Sequence, residues 1–155
     1  TRWNCDWSSD VCSSDLDGGR NFALVHFSSR GRCQTDLFRP GAYTISDKMT
    51  AAETFLSGGT NFETPMWESL RLMREEGFEN ADIVFITDGE CEMPQHFLTE
   101  LRQEQTERRF TITGVLLDSG CPGMEFSLRS FCQNIYRTSE LTGEAIVREL
   151  VGKRM

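Results

Sequence analysis

The hydrophobic positions of this chain form short apolar runs, separated by longer segments in which apolar residues recur every three or four positions. Short runs rich in β-branched and aromatic residues predict strands, and the longer segments predict helices. Strands are predicted at residues 21–27, 33–38, 82–87, 110–117 and 134–138. The run at 33–38 alternates and stops at Pro40-Gly41, which is typical of an edge strand.

Helices are predicted between and after these strands, at residues 46–57, 64–76, 94–107, 125–131 and 142–151. Ser46 is expected to cap the first helix. Thr64 followed by Pro65 is expected to begin the second, because proline fits the first turn of a helix. The inner face of the first helix would carry four apolar residues: Met49, Ala52, Phe55 and Leu56.

Alternation of strands and helices predicts an α/β fold. We expect a Rossmann-like three-layer sandwich with a mostly parallel central sheet and one antiparallel edge strand. The run at 82–87 is continuously apolar, as in strands covered on both faces. Ligands of such sheets bind at the carboxyl ends of the strands, so the loops after Phe27, Thr87 and Leu117 are the places to look for chemistry.

Two loops at that edge carry oxygen ligands. Gly58-Gly59 permits a tight turn that presents Thr60, and Asp88 directly follows the strand at 82–87. One helix and one strand lie between them, so both side chains are expected at the same sheet edge. A hydroxyl and a carboxylate, with water in the remaining positions, suit octahedral Mg²⁺. Thr60 and Asp88 are therefore the predicted metal ligands, although each loop taken alone is also ordinary turn chemistry.

Composition narrows the function classes. The formal net charge of −8 argues against nucleic-acid binding, because the field of the protein would repel a phosphate backbone. No apolar run approaches the ~20 residues of a membrane span, and the N-terminus does not resemble a secretory signal. We therefore expect no membrane association and a cytoplasmic location. The six cysteines include no C-x-x-C pair, which favours free thiols over a zinc site.

Three stretches together resemble the von Willebrand factor type A (VWA) domain. They are "FSS" at residues 27–29, "GGTNFETPM" at 58–66 and "DIVFITDGE" at 82–90. The likeness covers residues 21 to about 152 and is similar to the bacterial cytoplasmic CoxE and ViaA type. It implies a metal-ion-dependent adhesion site in which Thr60 and Asp88 are ligands of Mg²⁺ or Mn²⁺.

The same resemblance implies a binding module and not an enzyme. In the family, an acidic side chain from a partner protein commonly completes the shell of the metal. The bacterial members work beside MoxR-type AAA+ ATPases. The expected role is therefore that of an adaptor whose protein partner supplies a carboxylate, with a MoxR-type ATPase as a candidate.

One element of the family is unmatched. The family has one more metal loop, D-x-S-x-S, in addition to those that carry the Thr and the Asp. It follows the first apolar strand of the domain and precedes a helix. "DWSSD" supplies Asp6 and Ser8 but has Asp10 in the last place, and the ten residues 11–20 are too few for a parallel crossover before the strand at 21–27. Together with the near-repeat "SSDVCSSDL", this predicts that residues 1–17 are foreign to the domain. Residues 18–152 would then form a partial VWA-like domain without its first strand, and its metal site would be incomplete.

A haloacid-dehalogenase-like, Mg²⁺-dependent phosphatase is the alternative. In that family too, an Asp follows an apolar strand, and a second Asp stands two residues further on. Here Asp88 is followed by Gly89 and Glu90, so the second place holds a Glu. The two hypotheses differ in what they predict, because one requires metal-dependent binding and the other requires turnover of a phosphate ester.

Overall fold

The computed structural model describes residues 19–117 and 126–139, together with Ala145 and Arg148. The strands are β1 (Phe22–Phe27), β2 (Cys33–Phe38), β3 (Ile83–Thr87), β4 (Ile112–Leu116) and β5 (Asn134–Arg137). The helices are α1 (Ile45–Glu53), α2 (Glu63–Leu72), α3 (Gln95–Arg108) and α4 (Phe126–Arg129). All five predicted strands and four of the predicted helices are thus present.

Two other predictions fall outside the described part of the chain. They concern the segment 1–17 and, apart from two residues, the helix at 142–151. Among the helices that are described, none is long and apolar enough to cross a membrane.

The strands form two sheets. In the first, β1 and β2 make an antiparallel hairpin in which Phe22 is opposite Phe38. In the second, β3, β4 and β5 are parallel in that order, and Ile83 is opposite Ile112. The fold is therefore mixed α/β, with β2 antiparallel as predicted. A mostly parallel central sheet that lacks its first strand was expected. Within the described residues β1 pairs only with β2, and β3 pairs only with β4, so no described strand joins the two sheets.

One hydrophobic core joins the parallel sheet to helices α2, α3 and α4. Alternate residues of β3, including Phe85, are buried in it, whereas Val84 and Ile86 on the opposite face are half-buried. The prediction that β3 is fully buried on both faces is therefore wrong for the second face. The largest fully buried side chains are Phe62, Phe97, Met66, Leu70, Leu101, Ile112, Leu116, Leu128 and Val115.

The first helix differs from its prediction at both ends. Its cap is Thr44 and not Ser46, because the Thr44 side chain accepts a hydrogen bond from Asp47 N while Asp47 Oδ2 accepts one from Thr44 N at 2.6 Å. The Thr44 amide, and the Thr44 hydroxyl at 2.8 Å, both donate to Asp47 Oδ2 and lower the pKa of the Asp47 carboxyl. This reciprocal capping box satisfies two amides that a helix start leaves without partners. The helix ends at Glu53, before the predicted end at residue 57.

The residues of α1 that face the core differ from the predicted ones. Ala51 is buried, with 2% of its surface exposed, and packs with Phe38 of the hairpin. Met49 and Phe55, predicted to face inward, are 58% and 86% exposed. Ala52 is exposed as well, and Leu56 is half-buried. Thr54 is already extended, so the helical spacing on which the predicted inner face depended does not reach Phe55.

Replacement of the cap tests this assignment. Thr44→Ala is expected to lower the free energy of unfolding by about 1 kcal/mol, since the side-chain acceptor at the start of the helix is lost. Ser46→Ala, at the exposed position predicted from sequence, should change it by less than about 0.5 kcal/mol. Urea denaturation followed by circular dichroism measures both. Equal losses in the two variants would show that the capping box does not stabilise α1.

Candidate metal site

Asp88 lies at the carboxyl end of the parallel sheet, in the turn that follows β3. The buried Thr87 shapes this turn, because its Oγ1 accepts a hydrogen bond from Gly89 N at 3.1 Å and lies 3.3 Å from Gly89 O. Thr87 O also accepts a hydrogen bond from Leu117 N at 2.8 Å, which ties the turn to the end of β4. The backbone on both sides of Asp88 is therefore held in place, while Asp88 itself is exposed to solvent.

Thr60 lies in the loop between α1 and α2, and this loop rests on the turn of the β1–β2 hairpin. Gly59 N donates a hydrogen bond to Ser29 Oγ, and Asn61 N donates one to Ser28 O, both at 2.8 Å. The residues immediately before and after Thr60 are therefore both fixed to the end of β1. Thr60 itself is exposed.

The Thr60 loop and the Asp88 turn are in contact. A Cβ placed on Gly89 would lie 3.1 Å from Thr60 Oγ1 and 3.6 Å from Thr60 Cγ2. Gly89 directly follows Asp88, so the predicted hydroxyl ligand lies against the neighbour of the predicted carboxylate ligand. The expected convergence of the two loops is therefore present, and the metal-binding role of the two side chains stays a prediction.

The donor chemistry at this edge suits a hard cation. Thr60 supplies a hydroxyl and Asp88 a carboxylate, and Mg²⁺ prefers oxygen ligands while keeping several waters. A third hydroxyl, that of Ser28, lies close by. Ser28 is 4% exposed, its Oγ has no hydrogen-bond partner among the described residues, and that atom is 3.5 Å from a Cβ placed on Gly58. An orphaned buried hydroxyl in contact with the Thr60 loop is compatible with an oxygen-lined site.

Protein ligands would fill only part of the shell of such an ion. Within residues 19–117 and 126–139, no group of three or more His, Cys, Asp or Glu side chains could hold a metal. Water or ligands from elsewhere must therefore supply the other positions. The near-match residues Asp6, Ser8 and Asp10 lie outside the described residues.

The charged groups around the site are carboxylates on the segment after β3 and two arginines, Arg30 and Arg32, on the hairpin side. Asp88, Glu90 and Glu92 are all exposed on the segment that follows β3. On the hairpin side, the Arg30 side chain is 82% exposed, and its Nη2 is 4.0 Å from Glu63 Oε2. A cation at this edge would therefore be attracted by several carboxylates, whereas an acidic partner would be repelled unless a cation were present.

The start of α2 differs from its prediction. Thr64 was expected to begin the helix, but α2 begins at Glu63 and its first turn is held by Asn61. Asn61 Oδ1 accepts hydrogen bonds from Thr64 N at 2.9 Å and from Thr64 Oγ1 at 2.7 Å. Thr64 Oγ1 in turn accepts one from Gly31 N at 2.9 Å, which adds another tie to the hairpin.

Sequence reasoning missed two residues of this edge. Asn61 could have been found from its spacing, because an Asn three residues before Thr64 is a common way to start a helix. Ser29 could not, because it acts on Gly59, thirty residues further along the chain. Its only signal is its place in "FSS", at the end of a strand.

Comparisons with known proteins identify relatives without assigned roles. The chain is 33% identical over 100 residues to the uncharacterized protein MJ0077 of Methanocaldococcus jannaschii, which covers 64% of the chain and 24% of that protein. It is 32% identical over 118 residues to the uncharacterized protein MJ0811 of the same organism, which covers 73% of the chain and 27% of that protein. The chain thus spans about a quarter of the length of these relatives. No family model matches the chain, and no solved structure matches it.

The Gly58-Gly59 pair offers a test of the loop geometry. Gly58 has a φ of 136°, which L side chains rarely adopt, and a Cβ there would lie 2.6 Å from Ser29 Oγ. A Cβ on Gly59 would lie at an ordinary 3.6 Å from the same atom. Gly58→Ala is therefore expected to lower the free energy of unfolding by about 1–3 kcal/mol more than Gly59→Ala does.

Urea denaturation of the two variants measures this difference. Both substitutions restrict the unfolded chain to the same degree, so that contribution cancels in the comparison. Equal stabilities would mean that the loop does not lie on Ser29 in solution.

Proposed function

We propose that this chain is a divalent-metal-dependent protein-binding module of the adhesion-site type. Thr60 and Asp88 bind Mg²⁺ or Mn²⁺, and an acidic side chain from a partner protein completes the shell of the ion. The observation that carries this proposal is how close the Thr60 hydroxyl lies to Gly89, the neighbour of Asp88. Thr60 Oγ1 is 3.1 Å from the point that a Cβ on Gly89 would occupy. It brings two hard oxygen donors to one edge of a parallel sheet, where such folds bind their ligands.

The ion would supply positive charge beside the carboxylates that follow β3. Asp88 and its neighbours Glu90 and Glu92 are exposed, so a partner carboxylate meets repulsion without the ion and attraction with it. The loops contribute by positioning the two ligands. They hold Thr60 and Asp88 in place before the partner arrives, which lowers the entropy cost of binding.

The partner and the setting follow from the resemblance to bacterial VWA proteins. A module of this kind acts without catalysis, as an adaptor in the cytoplasm, and a MoxR-type AAA+ ATPase is the proposed partner class. The chain spans about a quarter of the length of its relatives. In a protein of their length, the other residues would also contribute to binding the partner.

A further strand between β1 and β3 would complete the fold that we propose. Each of these strands has one edge that pairs with no other described strand. The same two strands already share a core, since the rings of Phe27 in β1 and Phe85 in β3 stack with centroids 5.2 Å apart. A parallel strand inserted between them would unite both sheets into the mostly parallel sheet of a VWA-type sandwich and would place its own carboxyl end beside Thr60 and Asp88.

Titration with Mn²⁺ tests the metal site directly. Asp88→Asn and Thr60→Ala are each expected to weaken Mn²⁺ binding by about tenfold or more, because each removes one of the two proposed protein ligands. Glu100→Gln is the matched control, since it removes one negative charge from an exposed position on α3, a helix that carries neither proposed ligand. Electron paramagnetic resonance of free Mn²⁺ measures the affinity. An unchanged affinity in Asp88→Asn would refute the site.

Two further measurements separate binding from turnover. Co-purification of an AAA+ ATPase in Mg²⁺, lost in EDTA and in Asp88→Asn, would support the adaptor role. Mg²⁺-dependent hydrolysis of p-nitrophenyl phosphate that is abolished by Asp88→Asn would instead establish the phosphatase alternative and overturn the proposal.

A further inference from the structure

The end of β1 holds the backbone on both sides of Thr60 through two different kinds of group. Asn61 N is bound by the carbonyl oxygen of Ser28, which any residue at that position would provide. Gly59 N is bound by the side-chain hydroxyl of Ser29, at 2.8 Å. Only the second hydrogen bond depends on which amino acid is present.

The Ser29 hydroxyl also determines how closely the loop approaches the hairpin. A Cβ on Gly58 would lie 2.6 Å from Ser29 Oγ, so the loop backbone packs directly on this oxygen. The hairpin turn beneath it is closed by hydrogen bonds from Ser28 N to Arg32 O and from Arg32 N to Ser29 O. Arg32 Nη1 donates to Ser57 O at 3.0 Å and so holds the loop before the two glycines.

On the opposite side, Thr60 lies beside the Asp88 turn. Thr60 Oγ1 is 3.1 Å from the point that a Cβ on Gly89 would occupy. Thr60 is thus bounded by the hairpin turn on one side and by the Asp88 turn on the other. Loss of the Ser29 contact would release the Gly59 amide and let Thr60 move away from Asp88.

The geometry points to Ser29 as a positioning residue for Thr60. Its hydroxyl binds the Gly59 amide, and this keeps the Thr60 hydroxyl beside the Asp88 turn. As far as metal affinity is concerned, the inference rests on the proposed function, because it assumes that Thr60 is a metal ligand. The placement of the Gly59 amide is independent of that assumption and can be measured without metal.

Three variants isolate the Ser29 hydroxyl. Ser29→Ala removes it, and Ser29→Thr keeps an Oγ in its place. Ser57→Ala is the matched control, because it removes an exposed hydroxyl from the same loop but keeps the carbonyl that binds Arg32 Nη1. Amide hydrogen exchange by NMR in EDTA reports on Gly59, and Mn²⁺ titration reports on the ion.

In Ser29→Ala, the Gly59 amide is expected to exchange about tenfold faster and Mn²⁺ to bind about tenfold more weakly, the size of effect of a single hydrogen bond. Ser29→Thr should restore both, and Ser57→Ala should leave both unchanged. If Ser29 had a purely structural role, its loss would accelerate amide exchange throughout the hairpin. The Mn²⁺ affinity of the fully folded variant would then be unchanged.

The outcomes separate this inference from the proposed function. If Thr60→Ala weakens Mn²⁺ binding while Ser29→Ala does not, the metal site stands and the role of Ser29 is refuted. If the wild-type chain binds no Mn²⁺, the proposed function fails, and the Gly59 exchange rate alone decides whether Ser29 positions the loop. Equal protection of Gly59 in Ser29→Ala and the wild type would refute the inference in either case.

Discussion

The burial of Phe62 is the interaction on which the candidate site depends most. Its side chain is fully buried, and its ring packs edge-on against three others: Phe27, Phe85 and Phe131. One ring thus joins the hairpin to the parallel sheet and to the segment after α4. Complete burial of a phenylalanine contributes roughly 1.5–3 kcal/mol, and edge-to-face ring pairs add to that. Because Phe62 follows Thr60 by two residues, its burial brings the site loop to the sheet.

Burial of Phe62 brings the Thr60 loop to the sheet, and the polar contacts around Thr60 then fix the position of this loop. Hydrogen bonds join the loop to Ser28, Ser29 and Arg32 of the hairpin turn. On the other side, Thr87 shapes the turn that carries Asp88. The net gain from one such hydrogen bond is only about 0.5–1.5 kcal/mol, but several of them leave a short loop few alternative conformations. The result is a rigid sheet edge that presents two exposed oxygen donors.

The two open strand edges show how much the hairpin and the parallel sheet rely on side chains. Within the described residues, no backbone ladder joins β1 to β3, so the aromatic rings make the connection. Such packing is non-directional, whereas a hydrogen-bonded ladder fixes register. In the proposed fold, a strand between them would add this missing register.

Local pattern in the sequence determined most of the elements. The strands from β1 to β5 and the helices α2 and α3 follow from apolar periodicity and from Gly and Pro positions, which act within a few residues. Thr60 and Asp88 were likewise recognisable as loop residues at strand or helix ends. The cap of α1 was also local, but its signal, Thr44 with Asp47, was overlooked in favour of Ser46.

Tertiary structure alone decided the remainder, because it depends on contacts between residues far apart in the chain. The exposure of Phe55 and the hydrogen bond between Ser29 and Gly59 are both of this kind. Periodicity indicates that a face is apolar, but it does not indicate what packs against it. A hydroxyl at the end of a strand likewise gains its role only when the fold brings an amide thirty residues away within hydrogen-bonding distance.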